Sequence, residues 1–396
     1  MGKRTQQSIR KDRRAFLKVM SVGTAAIALA PIIGCGTEED YAVSKDEISP
    51  EDELSSLEPI PESGIRSKVS FVKCIEFGGA DNSLDTLLIA DSDGLNIIKK
   101  EFINSRYINP EVSFSPDGKY LAYGNDSLIS IINLENMLAI EIPGAQERMS
   151  GGEDISWSAD SKTLLFGSYT QGIYGYDITN GNLSQIVRTE GYTYDHNPVM
   201  SPNLKKLAYV HHEYEKFYSI FIIDADGGNK QLITQGTAFE TDEDVNLCWK
   251  DDSHLMFKLE DGRSQSKGAL FDIDIQTGQR TVIYPSFRFE GMQLSPDRKT
   301  IALYSHYGLS NLFLVDAIEF LYGIANATDT GFNPSVFAWA KDSNYFIINS
   351  DRRPSYPLRI FDRELKEYLF NFKDSQPDKN LLFPSICAID WSLKPV

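Results

Sequence analysis

The chain has 396 residues, of which 24% are charged, and its formal net charge is −17. Such an acidic protein lacks the clusters of lysine and arginine that neutralise phosphates, which excludes nucleic acid and anionic lipid surfaces as expected partners. About 330 residues follow the N-terminal region, more than one ordinary core holds, yet no Pro/Gly/Ser-rich linker divides them. A repeated architecture is therefore favoured.

The first 34 residues are predicted to be a removable export signal. A pair of arginines and the residues after it resemble the twin-arginine export motif, although Asp12 stands where Ser or Thr is usual. The apolar stretch that follows has 16 residues, whereas a membrane-spanning helix needs about 20, so it indicates a signal rather than an anchor helix. The residues of the motif are Arg13, Arg14, Phe16, Leu17 and Lys18.

The signal ends in Ile32-Ile33-Gly34-Cys35, which resembles the lipobox of bacterial lipoproteins. In that motif the cysteine sulfur takes a diacylglyceryl group, so Cys35 is the expected lipid anchor; a chance cysteine is the alternative. Cleavage before Cys35 removes seven basic residues and one acidic residue, and the net charge becomes −23. Gly36 is not the aspartate that retains many such lipoproteins in the inner membrane. We therefore expect a lipid-anchored protein of the bacterial envelope, at the outer membrane on its periplasmic side or at the cell surface.

Residues 35–63 are predicted to form a flexible tether. Between residues 36 and 63 there are ten acidic residues and one lysine. Charge repulsion and the lack of apolar surface keep such a segment extended.

Residues 64–396 contain a repeated pattern of strand and turn. Apolar runs end before a turn at positions 43 to 52 residues apart, a spacing that suits a four-stranded propeller blade. All four tryptophans of the chain occupy this position. The seven positions are Phe114, Trp157, Met200, Trp249, Leu294, Trp339 and Trp391.

A second mark is an Asp or Asn that closes a later apolar run in each unit. The apolar run that ends at Asp91 has no run with a turn residue before it, so the first unit lacks its first strand. No further apolar run follows Trp391, so the last unit has only a first strand. We therefore predict that the C-terminal strand completes the first blade, which leaves no open sheet edge in the ring. The aspartates of the Asp-rich turns are expected to accept hydrogen bonds from their own turn backbone. The alternative is that they bind calcium. The second marks are Asp91, Asn133, Asp177, Asp224, Asp274, Asp316 and Asp362.

The units of the form Ser-Pro-Asp-Gly-Lys, each followed by an Ile-Tyr-x-x-Asp strand, resemble the WD40-like repeats of TolB-type β-propellers over residues 68–396. The resemblance implies an all-β, seven-bladed β-propeller of four-stranded blades, closed by the C-terminal strand. Such rings serve as binding scaffolds, substrate gates and occasionally enzymes, so the fold alone does not define a function. No Gly-x-Ser-x-Gly motif, the mark of an attached hydrolase, occurs in the sequence.

The resemblance also implies where a ligand binds. In such blades the B–C and D–A loops gather on one face, and binding residues concentrate on variable loops of a rigid scaffold. Four of the five histidines fall in these segments, and His254 falls in an A–B turn. The candidate ligand residues are Tyr194, Asp195, His196, His211, His212, Tyr214, His306, Tyr307, Arg352 and Arg353.

We expect a monomeric, non-enzymatic binding or scaffold protein without a metal or cofactor, whose loop face takes a protein or an envelope component. The alternative is a metal-dependent polysaccharide lyase or hydrolase, because loop histidines and nearby acids can ligate a metal and oligogalacturonate lyases resemble this propeller class. The adjacent pair His211-His212 is the strongest ligand spacing, but neighbours on one strand point opposite ways. Arg352 and Arg353 either receive a carboxylate or pair with neighbouring acids.

Two cysteines lie in the strands that are predicted to join the chain ends. Cys74 falls in the proposed B strand and Cys387 in the proposed A strand of the first blade. A disulfide between them would staple the ring, with buried thiols as the alternative. Counting the register places Cys387 nearer to Gly78 than to Cys74.

Overall fold

In a computed structural model, the described residues of the chain form 28 β-strands. No helix among them is long and apolar enough to cross a membrane. The structure describes residues 57–58, 68–73, 85–91, 97–103, 111–125, 128–142, 155–168, 171–189, 193–213, 217–235, 246–260, 268–287, 291–304, 311–317, 327–332, 334, 336–349, 358–368 and 386–391.

The first fifteen strands are β1 (Lys68–Lys73), β2 (Asp85–Asp91), β3 (Ile97–Ile103), β4 (Glu111–Phe114), β5 (Tyr120–Asn125), β6 (Leu128–Asn133), β7 (Leu138–Glu141), β8 (Ser156–Trp157), β9 (Thr163–Ser168), β10 (Gly172–Asp177), β11 (Asn182–Arg188), β12 (Thr193–Met200), β13 (Lys206–Glu213), β14 (Phe217–Asp224) and β15 (Gln231–Gln235). The remaining strands are β16 (Leu247–Trp249), β17 (His254–Glu260), β18 (Gly268–Asp274), β19 (Arg280–Phe287), β20 (Gly291–Leu294), β21 (Thr300–Tyr304), β22 (Phe313–Asp316), β23 (Ala327–Asp329), β24 (Phe337–Trp339), β25 (Tyr345–Asn349), β26 (Leu358–Asp362), β27 (Glu367–Tyr368) and β28 (Ile386–Trp391).

The strands pair in antiparallel groups of four. We call the group β28-β1-β2-β3 repeat 1, and repeats 2 to 7 take four consecutive strands each, beginning at β4, β8, β12, β16, β20 and β24. Repeats 3 and 4 form one eight-stranded sheet because Asp195 of β12 pairs with Ser168 of β9. Every predicted turn position is the last residue of a first strand, and every predicted Asp or Asn mark is the last residue of a third strand. The strand periodicity of the sequence is thereby confirmed.

The core lies between the repeats rather than inside any one of them. Apolar clusters join each repeat to the next, from repeats 1 and 2, through Ile89 and Phe114, to repeats 6 and 7, through Ala302 and Phe337. A further cluster packs Ala338 of repeat 7 against Phe71 of repeat 1. Because each sheet buries both of its faces against neighbours, its strands read as nearly continuous apolar runs.

Tryptophans at the ends of first strands connect neighbouring repeats. The indole N–H of Trp157 donates to the carbonyl of Ser113 at 3.0 Å, and that of Trp249 donates to Val199 at 3.0 Å. Trp339 makes the same bond to Gln293 at 3.3 Å. A large ring with a single donor can fill the apolar gap between two sheets and still satisfy its polar atom, which explains the recurrence of Trp at this position.

The first turn of a repeat is built by the same hydrogen bonds in four repeats. The Ser115 hydroxyl donates to the Asp117 carboxylate at 2.7 Å and accepts the N–H of Tyr120 at 3.0 Å, while Asp117 also accepts the N–H of Lys119. The turns that begin at Ser158, Ser201 and Ser295 repeat these bonds, with Asn203 in the place of the aspartate in one of them. The Ser-x-Asp pattern is therefore a turn-forming motif.

Strand β28, near the C-terminus, is hydrogen-bonded to β1. Five residue pairs form this antiparallel register, from Val69 with Trp391 to Lys73 with Ile386, with an irregularity after Val72. Cys387 therefore lies opposite Val72 and Lys73, and the counted register that placed it near Gly78 is wrong because the strands are offset by about five residues. Cys74 lies outside the described residues, so the Cys74–Cys387 disulfide stays a prediction.

The export signal, its motif residues and Cys35 lie outside the described residues, and so does the predicted tether except for Leu57 and Glu58. The Glu58 carboxylate lies 2.7 Å from the Lys366 ammonium of repeat 7. An exposed pair of this kind contributes little to stability.

Candidate binding site at one end of repeat 4

The first three strands of repeat 4, β12, β13 and β14, are eight residues long. The second strands of repeats 2, 3, 6 and 7 have only five or six residues. The additional residues lie beside the connections 190–192 and 214–216, which are outside the described residues. Tyr194, Asp195, His196, His211 and His212 therefore lie in paired strands, and their placement in loops was wrong. Pairing between the strands extends the sheet through polar residues that have little strand preference of their own.

The register divides these side chains between the two faces of the sheet. Asp195 lies opposite His211, whereas Tyr194 lies opposite His212. Since successive residues of a strand point to opposite faces, the adjacent histidines cannot ligate one ion together. His211 shares a face with Tyr209, which packs against repeat 3, and His212 shares a face with Val210, which packs against repeat 5.

On the face towards repeat 3, a buried carboxylate holds a histidine. The Asp195 side chain is 2% exposed, and its Oδ1 lies 2.7 Å from Nδ1 of His211. The Thr189 hydroxyl donates to the second oxygen of Asp195. A histidine that donates Nδ1–H to a carboxylate presents Nε2 as an acceptor while the ring is neutral. With 23% of its side chain exposed, His211 is therefore an oriented polar group at this end of the repeat.

On the face towards repeat 5, four rings pack together. The ring of His212 stacks on Tyr218 with centroids 4.3 Å apart and meets Tyr194 edge-on at 4.4 Å. Tyr194 also contacts His196, at 5.1 Å. Such stacked and edge-on contacts add rigidity to the buried area that the rings share.

The histidines on the repeat 5 face are neutral at pH 7. Burial, with His212 adding to the effect, lowers the pKa of His196 to about 3. Burial also lowers the pKa of His212, with a smaller contribution from His211. The amide nitrogen of Asn197 lies 3.2 Å from Nδ1 of His196. A neutral, partly buried aromatic cluster can contact apolar ligand surface, while His211 on the opposite face of the sheet can accept a hydrogen bond.

The structure leaves half of the candidate ligand residues undescribed: Tyr214, His306, Tyr307, Arg352 and Arg353 lie outside the described residues. Among the residues with described placement, no group of three or more His, Cys, Asp or Glu side chains is arranged to hold a metal. His254 lies at the opposite end, as the first residue of β17 rather than in the turn before it, with Nδ1 3.0 Å from the Asp251 carboxylate.

Sequence reasoning missed Thr189 and Tyr218 as members of this site. Tyr218 pairs with His212 across β13 and β14, so treating residues 206–224 as one hairpin would have found it. Thr189 follows strand β11 of repeat 3, and no sequence pattern connects it to Asp195.

Three solved structures show which folds the chain is similar to. A hydrazine synthase structure from Kuenenia stuttgartiensis matches with a TM-score of 0.54 and 14% identity, covering 72% of this chain and 93% of that one. An oligogalacturonate lyase in complex with manganese matches with a TM-score of 0.53 and 12% identity, covering 80% and 89%. TolB from Acinetobacter baumannii matches with a TM-score of 0.46 and 16% identity, covering 82% of each chain.

No protein-family model and no curated protein matches the sequence. With the antiparallel four-stranded sheets, the structural likenesses show an all-β fold of the β-propeller type. At such low identity they show the fold alone.

Proposed function

We propose that the chain is an exported, lipid-anchored, seven-bladed β-propeller that acts as a non-enzymatic binding or scaffold protein in the bacterial envelope. Its ligand is a protein or an envelope component, which binds at the loop end of repeat 4. The observation that carries the binding site is the oriented His211, held by a buried aspartate on one face of the sheet, with a cluster of aromatic rings on the other face.

The contacts between repeats support a closed ring of seven blades. Each repeat shares an apolar cluster with the next, and repeat 7 shares one with repeat 1. Strand β28 takes the first position of repeat 1, beside β1, so the first and the last described strands belong to one sheet. Closure of this kind removes the open edges that an incomplete ring would present.

The composition of the site supports binding. The stability of the repeats does not require the eight-residue strands, the buried carboxylate or the oriented imidazole of this site. The apolar clusters already connect the repeats. Burial of Asp195 costs desolvation free energy that its bonds to His211 and Thr189 offset. Polar groups that are held in place at the end of a rigid scaffold are typical of a recognition site.

The anchor is supported by the order of the basic region, the apolar stretch and Cys35. In the cells of a bacterium that lipidates exported proteins, we expect the Cys35→Ala variant to lose its labelled fatty acid and to leave the membrane fraction. A variant that stays in the membrane unlabelled would show that the chain is held there by another segment.

Binding is tested with the purified protein that begins at residue 64, immobilised and exposed to solubilised envelope. We expect a partner to be retained, and purified partner to bind the double variant His211→Ala/Tyr218→Ala at least about tenfold more weakly, since both side chains contact it. Tyr345→Ala is the matched control, because Tyr345 is a half-buried tyrosine that packs edge-on against Tyr368 in repeat 7.

Circular dichroism melts must show that the double variant and the control remain folded. Equal partner affinity for the wild type and a folded double variant would contradict the proposed site. Release of unsaturated sugars from envelope or plant glycans by the wild type would contradict the non-enzymatic role.

A further inference from the structure

The outermost strand of repeat 2, β7, has the burial pattern of a strand that lacks a neighbour. All four residues of Leu138–Glu141 are exposed, although three of them are apolar. Leu138 is 64% exposed and Ile140 is 53% exposed, and Leu232 is the third large apolar side chain this exposed among the described residues. Exposed apolar side chains on a sheet edge are typical of a pairing surface.

Other outer strands carry the features that prevent pairing. The register of β3, β11, β15 and β19 with the preceding strand contains an irregularity, which twists the edge. β23 and β27 have only three and two residues. β7 pairs with β6 in an unbroken register over all four residues, from Asn133 with Leu138 to Ser130 with Glu141. Among the described outer strands, β7 thus combines an unbroken four-residue register with exposed apolar side chains.

The backbone of β7 presents hydrogen-bonding groups outward. The N–H of Ile142 donates to the carbonyl of Ile129 at 3.0 Å. Bonded pairs alternate along an antiparallel ladder, so Leu138 and Ile140 also point their backbone groups towards β6. The N–H and carbonyl groups of Ala139 and Glu141 therefore point away from the sheet, where a further strand can bond to them.

Charge defines the chemistry of the occupant. Exposed carboxylates stand on both sides of the apolar pair, at Glu135 in the preceding turn and at Glu141. The whole chain carries −17, so a second copy of it would meet like charge, whereas a basic segment would meet attraction.

We propose that β7 accepts an extended segment of a partner protein in which apolar and basic residues alternate, added as a fifth strand to repeat 2. The backbone bonds of Ala139 and Glu141 contribute affinity, and the side chains of Leu138 and Ile140 contribute specificity. This surface is separate from the site in repeat 4.

The probe is a short fluorescent peptide that alternates valine and lysine, and binding is followed by anisotropy. Its two controls are a valine–glutamate peptide and a valine–lysine peptide with alternate backbone nitrogens methylated. In the protein, Ala139→Pro removes the outward N–H and leaves the bonds to β6 intact, as proline is tolerated on the open side of an edge strand. Ala139→Ser keeps the N–H and is the matched variant.

We expect the wild type and Ala139→Ser to bind the valine–lysine peptide within about twofold of each other. Ala139→Pro, and both control peptides, should bind at least about tenfold more weakly, with unchanged melting of the variant. Absence of peptide binding to the wild type, or equal binding to Ala139→Pro, would overturn the proposal. So would a wild-type dimer in sedimentation that Ala139→Pro abolishes, since the occupant would then be a second copy.

Discussion

The two ends of the repeats follow different structural rules. At the end that carries the first turns, four repeats use the same serine and the same side-chain bonds, and successive turns are connected to each other. The N–H of Asp117 donates to the hydroxyl of Ser161 in the next turn, and the N–H of Asp297 donates to Ser343. Repetition of this kind serves stability, because a turn of one repeat is bonded to the turn of the next.

At the other end, repeat 4 has a set of contacts unlike those of the turns. Asp195, His211 and Thr189 form one group there, and Tyr194, His212 and Tyr218 form another. The lesson is that a uniform end holds successive repeats together while the opposite end is free to specialise. Each of the following predictions acts on one end and uses the other, or an intact set of repeats, as its control.

The largest effect is expected from removal of β28, on which the uniform scaffold depends. Deleting residues 386–396 uncovers one side of β1, where Val69 and Phe71 are fully buried, and removes the Asp390 carboxylate that accepts the N–H of Phe114 at 2.6 Å. We expect loss of cooperative unfolding or a fall in Tm of more than about 10 °C.

A chain that ends at Trp391 keeps β28 and is the matched control. Calorimetry that finds the same Tm and unfolding enthalpy for both truncated chains would break the comparison, because the repeats would then not need their last strand. It would also contradict the proposed closure of seven blades.

The same contrast explains what could be predicted from the sequence. Ends of first and third strands were predictable at all seven repeats, since turn residues and apolar runs recur at fixed spacing. The extensions of β12 and β13 were not, because Tyr194-Asp195-His196 and His211-His212 read as polar loop sequence. Their strand pairing is set by tertiary contacts, including the bridge from Asp195 to Ser168, which outweigh the local preference.

An intermediate effect, on acid stability, is expected at the specialised end. The folded pKa of His196 is about 3, below its unfolded value, so the unfolded chain binds more protons as the pH falls below about 6.5. Stability should therefore decline from pH 7 to pH 5, by up to about 1.4 kcal/mol per pH unit from this residue. The decline should be shallower in His196→Gln, as measured by urea unfolding.

The control for this prediction is Leu204→Gly, which changes the turn end of the same repeat and removes no titratable group. Its pH profile should keep the wild-type slope. If His196→Gln also kept that slope, the acid sensitivity would not arise from this histidine, and the contrast between the two ends would lose its support.

The smallest effect is expected at the fourth position of the first turns, where the backbone φ is positive. Gly118 has φ of 73° there, while Leu204 has 63° and Ser343 has 65°. A side chain in this backbone region costs about 1 kcal/mol, so Leu204→Gly should relieve strain and raise the free energy of unfolding by up to about 1 kcal/mol. The gain is reduced by the conformational entropy that glycine adds to the unfolded chain.

Ser343→Gly relieves the same strain but removes the hydroxyl that accepts the N–H of Asp297 at 2.8 Å. It should therefore be less favourable than Leu204→Gly by about 1 kcal/mol, the typical net contribution of one hydrogen bond. Urea unfolding of the two glycine variants measures this difference. Equal changes in both would show that the bond between successive turns contributes nothing, and that the turn end is uniform because of local turn geometry alone.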